Sequence, residues 1–130
     1  MNRHPIELLI EIADSAINRE DFDTLIDIYS DDAVLVIKPG MNAMGKAQIR
    51  KAFEAIAAHF NHKLEVKQGG MKILESEDTA LVLAKTIVST PGAPAIHRNA
   101  TYVFKKTPSG NWLCAIDNSY GHELFLYADA

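Results

Sequence analysis

Apolar residues recur at helical spacing from Pro5 onward: Ile6, Leu9, Ile10, Ala13 and Ile17 form one face, and Glu7, Glu11 and Asp14 take the other. Pro5 suits the first turn of a helix, where its missing N–H leaves no intrahelical bond unmade. Asp21 is a good N-cap for a second, shorter helix whose stripe is Phe22, Leu25, Ile26 and Tyr29. Ser30-Asp31-Asp32 ends it. Ala33-Val34-Leu35-Val36-Ile37 then reads as a buried strand, bounded by Pro39-Gly40. Gly45 opens a third helix with Ile49, Phe53, Ile56 and Phe60 on its apolar stripe. The rest reads as strands over residues 62–75, 79–89, 96–106 and 111–120, with Pro, Gly, Asn and Asp between them. The order ααβαββββ predicts an α+β fold: a mainly antiparallel β-sheet with three N-terminal-half helices gathered on one face.

The strands are apolar on both faces. Leu81, Leu83 and Ile87 oppose Val82, Ala84 and Val88, and Trp112, Cys114 and Ile116 oppose Leu113 and Ala115. A sheet with one wet face alternates apolar with polar, so this pattern predicts that both faces are covered. Three helices cover one; a second copy of the chain in a two-fold homodimer is expected on the other.

The chain has 130 residues, enough for one domain with a core of its own. Its charge is uneven: residues 1–32 carry nine acids and two bases, whereas the remainder carries eight acids and eleven bases. The acidic front reads as the solvated face of the first two helices. Few basic residues cluster, which argues against nucleic acid as a partner. No apolar run reaches the ~20 residues of a membrane span, and Met1-Asn2-Arg3-His4-Pro5 does not read as a signal peptide. The lone Cys114 fits a cytoplasmic location and reads as a small buried hydrophobe.

Three segments carry a more specific pattern. They are Tyr29-Ser30-Asp31-Asp32-Ala33-Val34, Gly45-Lys46-Ala47-Gln48-Ile49-Arg50-Lys51-Ala52-Phe53, and Gly110-Asn111-Trp112 leading to Ile116-Asp117-Asn118-Ser119-Tyr120-Gly121. In this order the chain resembles the nuclear transport factor 2-like superfamily, in particular its SnoaL-like branch of small bacterial proteins. The resemblance implies a strongly curved sheet wrapped around a helix, a cone with an internal pocket, commonly in a homodimer. It implies no single activity, since the superfamily includes isomerases, cyclases, dehydratases, hydrolases and binding proteins. Ketosteroid isomerase, similar in fold, places a carboxylate base before a proline after its first strand. Here Lys38 precedes Pro39, which argues against that reaction.

The candidate site therefore has to be found among individual side chains. Asp117 in an apolar strand must be paired, hydrogen-bonded or open to a cavity; it is the first candidate acid or base, or else it ties the strand end to backbone N–H groups or lies at a dimer seam. Alternation places it with Leu113 and Ala115, and places Asn118 and Tyr120 with Trp112, Cys114 and Ile116. His97 is the second candidate acid or base, in a column with Asn99 and Thr101 that forms either a polar pocket wall or a wetted outer face. Tyr29, Asn99, Asn118, Tyr120, Trp112 and Phe53 are the candidate ligand contacts. His59 and His62 lack a third nearby ligand, so no metal and no cofactor is expected. The expectation is a pocket for a small apolar organic ligand with possible acid-base turnover; the alternative is a non-enzymatic association or carrier module.

Overall fold

The structure is a computed structural model and describes residues 3–126; Met1 and Asn2 lie outside the described residues. Helix α1 (Pro5–Arg19) begins where the His4 ring accepts the Ile6 N–H at 3.0 Å and stops at Glu20, which adopts the left-handed conformation with φ 58°. Its face of Ile6, Ile10 and Ala16 is buried. Helix α2 (Phe22–Ile26) is capped by Asp21, whose carboxylate accepts the Thr24 N–H at 3.2 Å. Tyr29 does not close this helix as its spacing suggested; it starts β1 (Tyr29–Lys38) and is buried. A short strand β2 (Met41–Met44), not foreseen, folds back on β1 before α3 (Lys46–His59). Then follow β3 (Glu65–Ser76), β4 (Thr79–Ser89), β5 (Ile96–Lys106), β6 (Trp112–Asn118) and the short α4 (Glu123–Leu126).

The six strands form one mixed, curved sheet in the order β2-β1-β6-β5-β4-β3. All neighbours run antiparallel except β1 and β6, which are parallel. That exception follows from chain order: β6 returns to the middle of the sheet beside β1 after the whole β3–β5 meander has been laid down. Irregular pairing occurs at four places, including the Gly69 position of β3 and Ala115 of β6. Bulges bend strands locally, and here they accompany the curvature of the sheet.

Helices and sheet enclose a core of Ile6, Leu25, Ile49, Val82, Phe104 and their neighbours. The opposite face of the sheet carries an apolar row in register. Leu74 pairs with Leu81, Leu81 with Val103, Val103 with Ile116, Ile116 with Val34, and Val34 with Met44. One row thus crosses all six strands, and Leu74, Leu81, Ile116 and Met44 are exposed along it. No helix among the described residues is long and apolar enough to cross a membrane.

Most of the acidic front is on the surface, where Arg3 holds Glu7 and Glu11, Arg50 holds Asp23, and His62 meets Glu20. Asp14 is the exception. It lies on α1 four residues after Ile10 and three before Ile17, at the edge of the apolar stripe, and turns inward with them.

Candidate functional site

Between the sheet, α1 and α3 lies a cavity of about 240 Å³. Most of its wall is aliphatic or aromatic: Ile10, Ala13 and Ile17 from α1, Phe53 and Ile56 from α3, and Leu35 and Ile37 from β1. Val88 of β4, Ile96, Tyr102 and Phe104 of β5, and Tyr120 after β6 complete it. Few polar groups enter this wall, and they come mostly in hydrogen-bonded pairs. The Tyr29 hydroxyl donates to Asp117 Oδ2 at 2.5 Å, the Gln68 amide donates to Asp14 Oδ2 at 3.0 Å, and Thr86 Oγ1 lies 2.9 Å from the Tyr102 hydroxyl.

Burial sets the protonation of these groups. It pushes the Asp117 carboxyl up from the ordinary carboxylate range, against the lowering effect of the Tyr29 bond. It likewise raises Asp14 to about 6, with the Gln68 bond opposing and Asp117 adding to the rise. The Tyr29 and Cys114 groups are pushed well up by the same desolvation, so the phenol stays a donor and the thiol stays protonated and unreactive. Thr86 and Tyr102 have two hydroxyl hydrogens and share one bond between them, which leaves a donor for an incoming oxygen.

The residues singled out from sequence divide sharply. Asp117, Tyr29, Phe53 and Tyr120 line the cavity. His97 and Asn99 are exposed on the outer face of β5, while Arg98 and Tyr102, from the opposite face of that strand, enter the cavity wall. The aromatic pair Tyr102 and Phe104 was the signal that marked the inner face. Trp112 is buried away from the cavity, between the His4 ring and the Lys106 ammonium. Lys38 is exposed at the end of β1 and forms no part of the wall.

The simple alternation of β6 fails at its bulge. Val103 pairs with Ile116 and Phe104 with Cys114, so Ala115 is an extra residue on β6. Trp112 and Cys114 face inward, Ile116 is exposed, and Asp117 faces inward again. Asp117 therefore shares the face of Cys114, not that of Leu113, because one unpaired residue shifts the two-residue period by one. Asn118 is turned away from the cavity and organises the following turn instead. Its amide donates to Thr101 Oγ1 at 3.3 Å and to the Gly121 carbonyl at 3.1 Å, and its carbonyl oxygen accepts the Tyr120 N–H at 3.1 Å. This turn holds the Tyr120 ring against Arg98, whose guanidinium carbon stands 4.2 Å from the ring centre. Among the described residues no group of three or more His, Cys, Asp or Glu side chains could hold a metal ion.

A curved sheet closing a pocket against its helices defines a class of proteins, and solved structures place this chain in it. It is similar to a protein of unknown function with a cystatin-like fold from Nostoc punctiforme, at 17% identity over 86% of this chain and 84% of that one, with a TM-score of 0.75. A nuclear transport factor 2-like protein of unknown function from Pseudomonas putida matches at 18% identity, 86% and 80% coverage and a TM-score of 0.76. A proposed dehydratase of the same structural family from Streptomyces avermitilis matches at 20% identity, 87% and 91% coverage and a TM-score of 0.68. At these identities the likeness is one of fold. No curated protein matches the chain in sequence. Residues 6–115 match the SnoaL-like domain, and the chain belongs to that family.

Proposed function

We propose that this protein binds a small, mainly apolar organic molecule in the cone and moves a proton on it, with Asp117 as the principal acid or base. The observation that carries this reading is the pair of carboxyl groups, Asp117 and Asp14, held in one apolar cavity. Desolvation raises both, which brings them toward the range where a carboxyl exchanges protons near neutral pH. Tyr29 donates to Asp117 Oδ2, so Oδ1 is the oxygen that would exchange a proton with the ligand. The free donor of the Thr86–Tyr102 pair suits a carbonyl or hydroxyl oxygen of the substrate. Isomerisation and dehydration both need such a set: one group to take a proton, one to return it and a donor for the oxygen between. The likeness in fold to the proposed dehydratase is compatible with this and adds no residue-level argument.

Binding is tested first, by a thermal-shift screen of small organic molecules together with native mass spectrometry of the purified protein. Apolar molecules of one or two rings are expected to raise the melting temperature, and Ile56→Trp, which fills the cavity from α3, is expected to abolish the shift. A folded wild-type protein stabilised by none of them overturns the reading. For any molecule found to turn over, Asp117→Asn is expected to lower kcat at least about tenfold, given that acid-base catalysis contributes roughly two to four orders of magnitude. Unchanged turnover in that variant removes Asp117 from the chemistry.

We further infer a homodimer through the outer sheet face. The support is the apolar row from Leu74 to Met44, which spans the sheet and leaves large side chains in water in a lone subunit. Sedimentation at micromolar concentration is expected to give a dimer for the wild type and a monomer for Leu81→Glu. A monomeric wild type overturns it.

A further inference from the structure

Among the described residues Arg98 is the one strong cation in the cavity wall, and it differs from the other arginines of the chain. Arg3, Arg19 and Arg50 each hold a carboxylate, at 2.7, 3.7 and 2.6 Å. Arg98 has no carboxylate within ion-pair distance among the described residues. Its place is set by other means: it sits on the inner face of β5, opposite Thr86 of β4, and its guanidinium stacks over the Tyr120 ring. Stacking uses the flat face of the group and leaves its edge N–H donors available in a fixed plane. Ile96, exposed next to it on the same face, places this end of the wall toward the mouth, whereas Tyr29, which bonds Asp117, is buried.

Building on the small-molecule reading above, we propose that the natural ligand is an apolar organic acid whose carboxylate docks on the edge of Arg98 while its hydrocarbon body extends toward Asp117. The guanidinium edge matches a carboxylate with two parallel N–H···O bonds, a geometry that one arginine can supply unaided. A single cation in the wall fits a monoanion better than a phosphate ester, for which cationic side chains are usually clustered. The cavity's own carboxyls do not satisfy Arg98. Desolvation, the Gln68 bond and the charges of Asp117 and Glu11 act on Asp14, and desolvation and the Tyr29 bond act on Asp117; the guanidinium is paired with neither. The volume of about 240 Å³ falls below the ~300 Å³ at which sites for drug-sized ligands begin, so the body of the acid is of the order of one ring.

The test uses three matched probes, 3-phenylpropanoate, 3-phenylpropanamide and 3-phenylpropylamine, titrated by calorimetry at pH 7 into the wild type and Arg98→Met. The wild type is expected to bind the carboxylate at least about tenfold more tightly than the amide, as a charge-assisted pair requires, and to bind the amine most weakly. Arg98→Met keeps an apolar side chain of similar length and is expected to bind carboxylate and amide alike. Equal binding of carboxylate and amide by the wild type, or preference for the amine, overturns the proposal while leaving the apolar cavity as a binding site. Retention of the carboxylate preference in a folded Arg98→Met also overturns it. Binding of none of the three overturns the proposal together with the cavity reading. Should the variant not fold, the wild-type order of the three probes still decides.

Discussion

Asp14→Asn is expected to stabilise the protein at pH 7.5 and to leave its stability nearly unchanged at pH 4. The Asp14 carboxyl rises from 3.8 to about 6 on folding because α1 carries it into the cavity wall, where desolvation outweighs the Gln68 bond. A group whose folded pKa lies above its unfolded value binds its proton more tightly in the folded state. Its favourable contribution is therefore complete below the unfolded pKa and disappears as the pH rises through the folded one, here between about pH 4 and pH 6. Roughly two units correspond to ~3 kcal/mol, a cost that the ionised wild type bears at pH 7.5 and the neutral amide does not. For a chain of this length that is a rise of the order of 10 °C in melting temperature. Asparagine retains the oxygen that accepts from Gln68, so packing changes little. Asp117→Asn should act in the same direction, since burial raises Asp117 as well and the amide oxygen can still accept from Tyr29. Melting curves of wild type and variant at the two pH values decide the matter. Equal destabilisation at both would mean that the Asp14 carboxyl is not desolvated.

Gly121→Ala is expected to cost more than about 2 kcal/mol and to dismantle the cavity mouth. Gly121 has φ 55°, in the left-handed region, and a Cβ there would overlap the Asn99 backbone carbonyl of β5. The conformation alone costs an alanine about 1–2 kcal/mol, and the overlap is with backbone, which cannot rotate aside. Relief requires the 118–121 turn to lift from β5. That turn carries Tyr120, whose hydroxyl donates to the Ile37 carbonyl at 3.3 Å and whose ring supports Arg98. Lower melting temperature should thus come with perturbed amide resonances at Ile37 and Arg98, two residues distant in sequence from the substitution. A variant with wild-type stability and spectrum would show that the turn has no such rigidity.

The aspartates illustrate what could be read in advance and what could not. Asp117 stood out because an acid within an apolar strand demands a partner, and its partner Tyr29 is 88 residues away in sequence. Simple alternation gives it the wrong face because Ala115 bulges, and a bulge of this kind leaves no dependable mark in an apolar run. Helical spacing assigns Asp14 to the solvated face although it follows Ile10 by four residues and precedes Ile17 by three. Position at the border of a stripe does not say whether the opposing surface is water or a cavity. The chemistry of His97 and Asn99 fits a pocket wall and a wetted outer face equally, and the structure has them on the outer face. The neighbours Ala100, Tyr102 and Phe104, buried on the other face with Arg98, were the better guide.

Local chemistry along the chain determined a great deal. Apolar periodicity set α1 and α3, with Pro5 opening the first, and the strands over 79–89 and 96–106 fall where turn residues bound them, because these signals act between near neighbours. The α+β class followed from the order of those elements. Tertiary structure alone decided the parallel pairing of β1 with β6, the inward turn of Asp14 and Asp117, and the stacking of Arg98 on Tyr120. Each of these depends on which surfaces meet after the sheet has curved and bulged. A pKa, a cavity or a stacked charge is a property of that meeting, set by desolvation and distance across the fold and carried by no single segment of the chain.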